Sequence, residues 1–85
     1  MRAAPRLLLI DANEAGRTVL AERLRLQGFT VVECADGAEG AVLSLEDPPA
    51  AVVADLTMPS ISGVQLCRLL GSEIGTSTVP VSLRG

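Results

Sequence analysis

Residues 52–63 read VVADLTMPSISG, and this stretch decides the fold. An apolar run ends in a single carboxylate, Asp55, and passes into a loop carrying Thr57, Met58, Pro59 and Gly63. A second apolar run, LLLID at residues 7–11, ends the same way at Asp11. Continuous apolar runs of this length suit strands covered on both faces, the hallmark of a parallel sheet. Open parallel sheets hold ligands outside the carboxyl ends of their strands, where the strand order reverses. Asp11 and Asp55 are therefore expected side by side, although far apart in the sequence.

The segments between and around these runs support that reading. Arg6–Asp11 is predicted as the first strand. Asn13 suits a helix N-cap, with Glu14 in the first turn. The helix that follows is expected to turn Val19, Leu20, Leu24 and Leu26 inward and Arg17, Glu22, Arg23 and Arg25 outward. Gln27-Gly28 supplies its glycine stop. Phe29–Cys34 is a β-branched second strand. Asp36 and Gly37 open a short helix through Leu45, with Ala38, Ala41, Val42 and Leu45 at helical spacing, and Pro48-Pro49 ends it. Asp36, Glu39, Glu46 and Asp47 read as solvated helix charges. Ala50–Asp55 is the third strand and Leu56–Ser62 a loop. Gly63–Leu70 is a helix with Val64, Leu66, Cys67 and Leu70 as its apolar positions. A polar loop, Gly71–Thr78, leads to a fourth strand at Val79–Leu83. The order β-α-β-α-β-α-β, with right-handed crossovers, predicts an α/β doubly wound parallel sheet with helices on both faces. The last strand has no helix after it, which leaves an apolar face and an open edge. The expectation is one domain over residues 1–85, as a fragment of a longer chain or a domain completed by another molecule, such as a dimer partner on the uncovered face.

Composition narrows the chemistry. The chain has 85 residues and a net charge of −3, which argues against nucleic-acid binding through a basic face. All seven basic residues are arginines, and histidine and lysine are absent. A Schiff-base lysine, a histidine base and nitrogen metal ligands are thereby excluded, leaving oxygen donors and hard cations such as magnesium. Cys34 and Cys67 lack a CxxC spacing and read as two buried, reduced thiols in a cytoplasmic protein. The start, MRAAPRLLLIDANE, places arginines before too short an apolar run for a signal peptide, and no stretch is long enough to span a membrane. No G-x-G-x-x-G follows the first strand, so dinucleotide binding is not indicated.

With Asp11 after LLLI and Asp55 after AVVA, followed by DLTMPSISG, the chain resembles the receiver domain of two-component response regulators. The family loop D-x-x-M-P-x-x-x-G is matched by Asp55, Met58, Pro59 and Gly63, and Val79-Pro80-Val81 resembles the start of the family's fourth strand. The resemblance runs over essentially the whole chain but over only the first two thirds of a family domain. It implies a flavodoxin-like fold of strand order 2-1-3-4, without the last helices and strand. It also implies a signalling module of a bacterial phosphorelay rather than an enzyme. Asp55 would be the phosphoacceptor. Asp11, Asp55 and the backbone carbonyl of Thr57 would hold magnesium, while Met58, Pro59 and Gly63 shape the loop. The implied partners are a histidine kinase or phosphotransfer protein and an output domain on the same chain.

The departures bear on competence. Ala12 stands where the family usually has a second acid, which weakens the magnesium site. The family's hydroxyl position beyond strand four falls at or beside Gly85, and Thr76, Ser77, Thr78 and Ser82 lie too early to replace it. The alternative function is a pseudo-receiver, an interaction module independent of phosphorylation. A carboxylate ending a buried strand can also serve only as a turn former or cap. A hydrolase of the dehalogenase type wants an acid two residues after its nucleophile, where this chain has Thr57.

Overall fold

The two apolar runs become neighbouring strands. In the computed structural model, which describes residues 4–85, four parallel strands form one sheet: β1 (Arg6–Ile10), β2 (Thr30–Cys34), β3 (Ala51–Asp55) and β4 (Val81–Arg84). Their order is β2-β1-β3-β4, the doubly wound arrangement expected from the sequence. Helices α1 (Glu14–Leu26), α2 (Gly37–Glu46) and α3 (Gly63–Ser72) make the crossovers. Alternate strand residues feed two cores, as a period of two requires. Leu8, Ile10, Val52 and Ala54 pack with Ala41, Leu66 and Leu70 of α2 and α3. On the opposite face Leu9 and Val31 pack with Ala21 of α1, flanked by Leu20, Leu24, Phe29 and Val53.

Several boundaries move for reasons visible in the backbone. The β1 strand closes at Ile10, although the Asp11 N–H still donates to the Cys34 carbonyl at 2.9 Å. The β2 strand begins at Thr30 because the Phe29 N–H turns back to the Leu24 carbonyl at 3.2 Å. Pairing of β4 starts at Val81, two residues late: the Val79 N–H closes a turn onto Thr76 at 3.0 Å, and Pro80 has no N–H to give. The α3 helix runs on to Ser72, and the buried Thr76 hydroxyl donates to the Leu70 carbonyl at 2.7 Å near its end.

The inward helix faces also differ from the apolar count. In α1 the face is Arg17, Leu20, Ala21 and Leu24, so Val19 is 51% and Leu26 87% exposed. In α2 the buried stripe is Gly37, Gly40, Ala41 and Ser44, leaving Val42 and Leu45 exposed. A Cβ on Gly40 would collide with the Ile10 side chain, so any side chain there must push Ile10 aside. In α3, Leu66 and Leu70 are buried while Val64 and Cys67 face outward. Cys34 is buried and Cys67 exposed, which corrects the expectation of two buried thiols; both are free. Asp47 is not merely solvated, since Arg6 Nη1 donates to its carboxylate at 2.8 Å. Among the described residues no helix is long and apolar enough to cross a membrane. Arg2, part of the basic start weighed as a leader, lies outside the described residues.

Candidate functional site

Register brings the two acids together. Ile10 pairs with Ala54 across β1 and β3, so Asp11 and Asp55, one residue further on, emerge at the same rim of the sheet. Both follow the alternation of Leu9 and Val53 and lie on the α1 side. The Asp55 carboxyl is pushed above the usual carboxylate range, first by burial, then by the hydrogen bond and like charge of Asp11. The positive charge of Arg84 pulls in the opposite direction.

Asp11 has a turn-forming contact as well. Its Oδ1 accepts from the Asn13 N–H at 2.8 Å, while Asn13 Oδ1 caps α1 by accepting from Gly16 N–H at 2.9 Å. Arg17 braces the same corner. Its Nη1 donates to the Asp11 carbonyl at 2.8 Å and its Nε to Glu33 at 3.2 Å. Ala12 is exposed and adds no third carboxylate.

The loop after Asp55 is anchored at several points. Thr57 and Pro59 are exposed, whereas Met58 turns into the core shared by Ile10 and Leu66. The Gly63 N–H donates to the Leu56 carbonyl at 2.9 Å. A Cβ on Gly63 would strike the Asp55 carbonyl and lie 2.9 Å from Leu83 Cδ2. The glycine is thus required by close approach, not by an unusual φ. Ser62 then caps α3, its Oγ accepting from Gln65 N–H at 3.1 Å while Gln65 Oε1 accepts from the Ser62 N–H at 2.8 Å.

Two residues at this rim do more than the sequence reading gave them: Asp36, read there as a solvated helix charge, and Arg84, which carried no site role. Asp36 is the N-cap of α2, accepting from Ala38 N–H at 2.8 Å and from the Ser60 hydroxyl. Those bonds, the Ser60 hydroxyl foremost, hold its carboxyl below the usual range. Ser60 adopts φ 67°, the left-handed region. An Asp directly before a helix is a recognisable cap signal; the reach of Ser60 across 24 residues is not. The other is Arg84, which pairs in register with Asp55. Counting along β4 from its pairing partner would have found it.

A magnesium ion is compatible with this donor set. The Asp11 charge raises the electrostatic cost of an ionised Asp55, which calls for a cation, and magnesium commonly uses only one or two carboxylates plus waters. Among the described residues no group of three or more His, Cys, Asp or Glu side chains gathers into a metal cage.

Known proteins resemble the chain throughout. A family model described as the response regulator receiver domain matches residues 7–83. The DNA-binding dual master transcriptional regulator RpaA of Synechocystis is 30% identical over 91% of this chain and 32% of its own length. Protein PilH of Pseudomonas aeruginosa is 30% identical over 89% of this chain and 63% of its own. Among solved structures, a receiver domain of the sensor histidine kinase PA1611 of Pseudomonas aeruginosa, with magnesium coordinated in its active-site cleft, superposes with TM-score 0.90 at 25% identity. That match covers 95% of this chain and 66% of the other. A response regulator from Chloroflexus aurantiacus gives TM-score 0.90 at 28% identity, covering 94% of this chain and 66% of the other. The chain thus spans about a third of the first curated relative and about two thirds of these receiver structures.

Proposed function

The chain belongs to the response regulator receiver family, and on that premise we propose that it accepts a phosphoryl group on Asp55 from a histidine kinase or phosphotransfer protein. The observation that carries the reading is the Asp11–Asp55 pair at the carboxyl rim of adjacent strands. An Asp55 carboxylate oxygen attacks phosphorus in line as the P–N bond to the donor imidazole breaks. The electron pair leaves with the donor nitrogen, and the product is an acyl phosphate. Asp11, Asp55 and the Thr57 carbonyl would hold magnesium, which supplies charge neutralisation for the approaching anion. Asp55 must be ionised to attack, and Asp11 opposes that ionisation, an opposition that a bound cation would relieve. Gly63 lets the loop fold tightly against the Asp55 carbonyl, and Met58 pins its middle into the core.

As a receiver the chain relays a signal rather than turning over a substrate, acting in the cytoplasm on an output domain. A second reading, a pseudo-receiver that works as an interaction module without phosphorylation, draws on Ala12 and Gly85. Beryllofluoride with magnesium mimics the acyl phosphate and separates the two. Amide shifts around Asp55 that vanish in Asp55→Ala support the phosphoacceptor; an unresponsive spectrum favours the pseudo-receiver.

A further inference from the structure

At the rim of the sheet, Arg84 stands directly opposite Asp55 in the β3–β4 register. Strand alternation fixes the face. Leu83 points towards α3, where its Cδ2 crowds Gly63, so Arg84 points to the other side, the side of Asp55 and Asp11. The backbone locks this placement, since the Leu56 N–H donates to the Arg84 carbonyl at 2.8 Å.

Among the described residues, the other arginines bonded beside the sheet are committed elsewhere. Arg17 donates to Glu33 and to the Asp11 carbonyl, Arg25 to Glu33, and Arg6 to Asp47. Arg84 is exposed, and among the described residues no carboxylate lies within salt-bridge distance of it. The sequence contains no lysine, and Gly85 brings no hydroxyl to this end of β4. At this end of β4, the side chain able to donate a hydrogen bond to an anion on Asp55 is therefore that of Arg84.

We propose that Arg84 is the anion anchor of the site: its guanidinium receives the equatorial oxygens of a phosphoryl group carried on Asp55. The inference rests on the phosphoacceptor reading above and adds a specificity-determining residue to it. A guanidinium fork matches phosphate geometry through paired N–H donors, which a compact ammonium does not reproduce. The same positive charge disfavours a divalent cation beside it, so Arg84 and magnesium divide the task of neutralisation. Arg84 binds the transferred group, and the two carboxylates bind the metal.

Beryllofluoride affinity at fixed magnesium, followed by amide shifts, tests this in wild type, Arg84→Ala and Arg84→Lys, with magnesium affinity measured separately. Loss of one charge-assisted contact predicts roughly tenfold weaker beryllofluoride binding in Arg84→Ala and partial recovery in Arg84→Lys. Magnesium alone binds Arg84→Ala at least as tightly as wild type, an outcome that general damage to the site does not produce. Equal beryllofluoride affinity in wild type and Arg84→Ala overturns the anchor and leaves the phosphoacceptor standing. Wild type that binds magnesium but no beryllofluoride overturns both.

Discussion

Asp55 sits in an unfavourable electrostatic position unless a cation joins it. Burial and Asp11 both raise its pKa, with Arg84 only partly offsetting them. Its folded pKa exceeds its unfolded value, so the contribution to stability is greatest at low pH and is lost as pH rises through the folded value. Without divalent cation, Asp55→Asn is therefore expected to melt at or above the wild-type temperature at neutral pH, by about 1 kcal/mol or less at this partly open site. The gap between the two proteins closes below about pH 4, where the carboxylate is protonated in both states. Asp36 has the opposite sign, stabilising above its unfolded pKa and losing that contribution as pH falls through its lowered one. Because it is present in both proteins, it cancels in the difference. Thermal melts across pH check this, and a neutral-pH loss of stability in Asp55→Asn contradicts the shared acidic pocket. Magnesium should narrow the difference by stabilising wild type selectively.

Among the elements, the loop from β3 to α3 and the α2 stripe carry the tightest steric constraints. Gly63→Ala drives a methyl into the Asp55 carbonyl, which is backbone and cannot swing aside. Gly40→Ala meets the Ile10 side chain, which has some freedom to repack. Both substitutions overpack, and the expected losses are about 3 kcal/mol or more at Gly63 and about 1–3 kcal/mol at Gly40, measured by urea unfolding. Ser60 poses a different balance. Ser60→Ala keeps the left-handed backbone and loses the bond to Asp36, so it should be less stable than wild type; Ser60→Gly loses the same bond but relieves the strain, and should lie nearer wild type. If the two variants are equally stable, the backbone at Ser60 carries no strain. The strands were legible because LLLI and AVVA are apolar without interruption, and their order in the sheet was what the receiver resemblance implied. The helix faces were less so. Apolar count favoured Val19, Val42 and Cys67, but burial followed spacing and closeness of approach. Thus Ala21, Gly40 and Ser44 lie inside while larger neighbours stay out. How near a helix lies to its sheet is a tertiary fact that residue type alone does not encode. The Asp11–Asp55 juxtaposition was foreseeable from strand ends, whereas Arg84 needed the register of a strand whose start moved by two residues.

The whole molecule is thin, with extents of 32 × 30 × 18 Å. The α2 and α3 helices cover one face of the sheet, but on the other α1 packs on β1 and β2. Val53 is only partly buried, and Ser82 and Arg84 of β4 are exposed beside it. Among the described residues β4 also ends the strand order, so there its outer N–H and C=O groups have no ladder partner. A partly apolar face next to an open edge favours pairing with another sheet edge or face. The 85-residue chain is therefore expected to self-associate through β4 and the adjoining face. Ser82→Glu, which adds a charge to that face without touching the core around Leu66, should shift the distribution towards monomer. Sedimentation velocity over a wide concentration range reads this directly, and association also makes the melting temperature rise with protein concentration. A monomer whose sedimentation and melting are both independent of concentration would contradict it. Binding of a separate partner over the same face would weaken self-association in proportion to its occupancy, so the two assemblies compete for one surface.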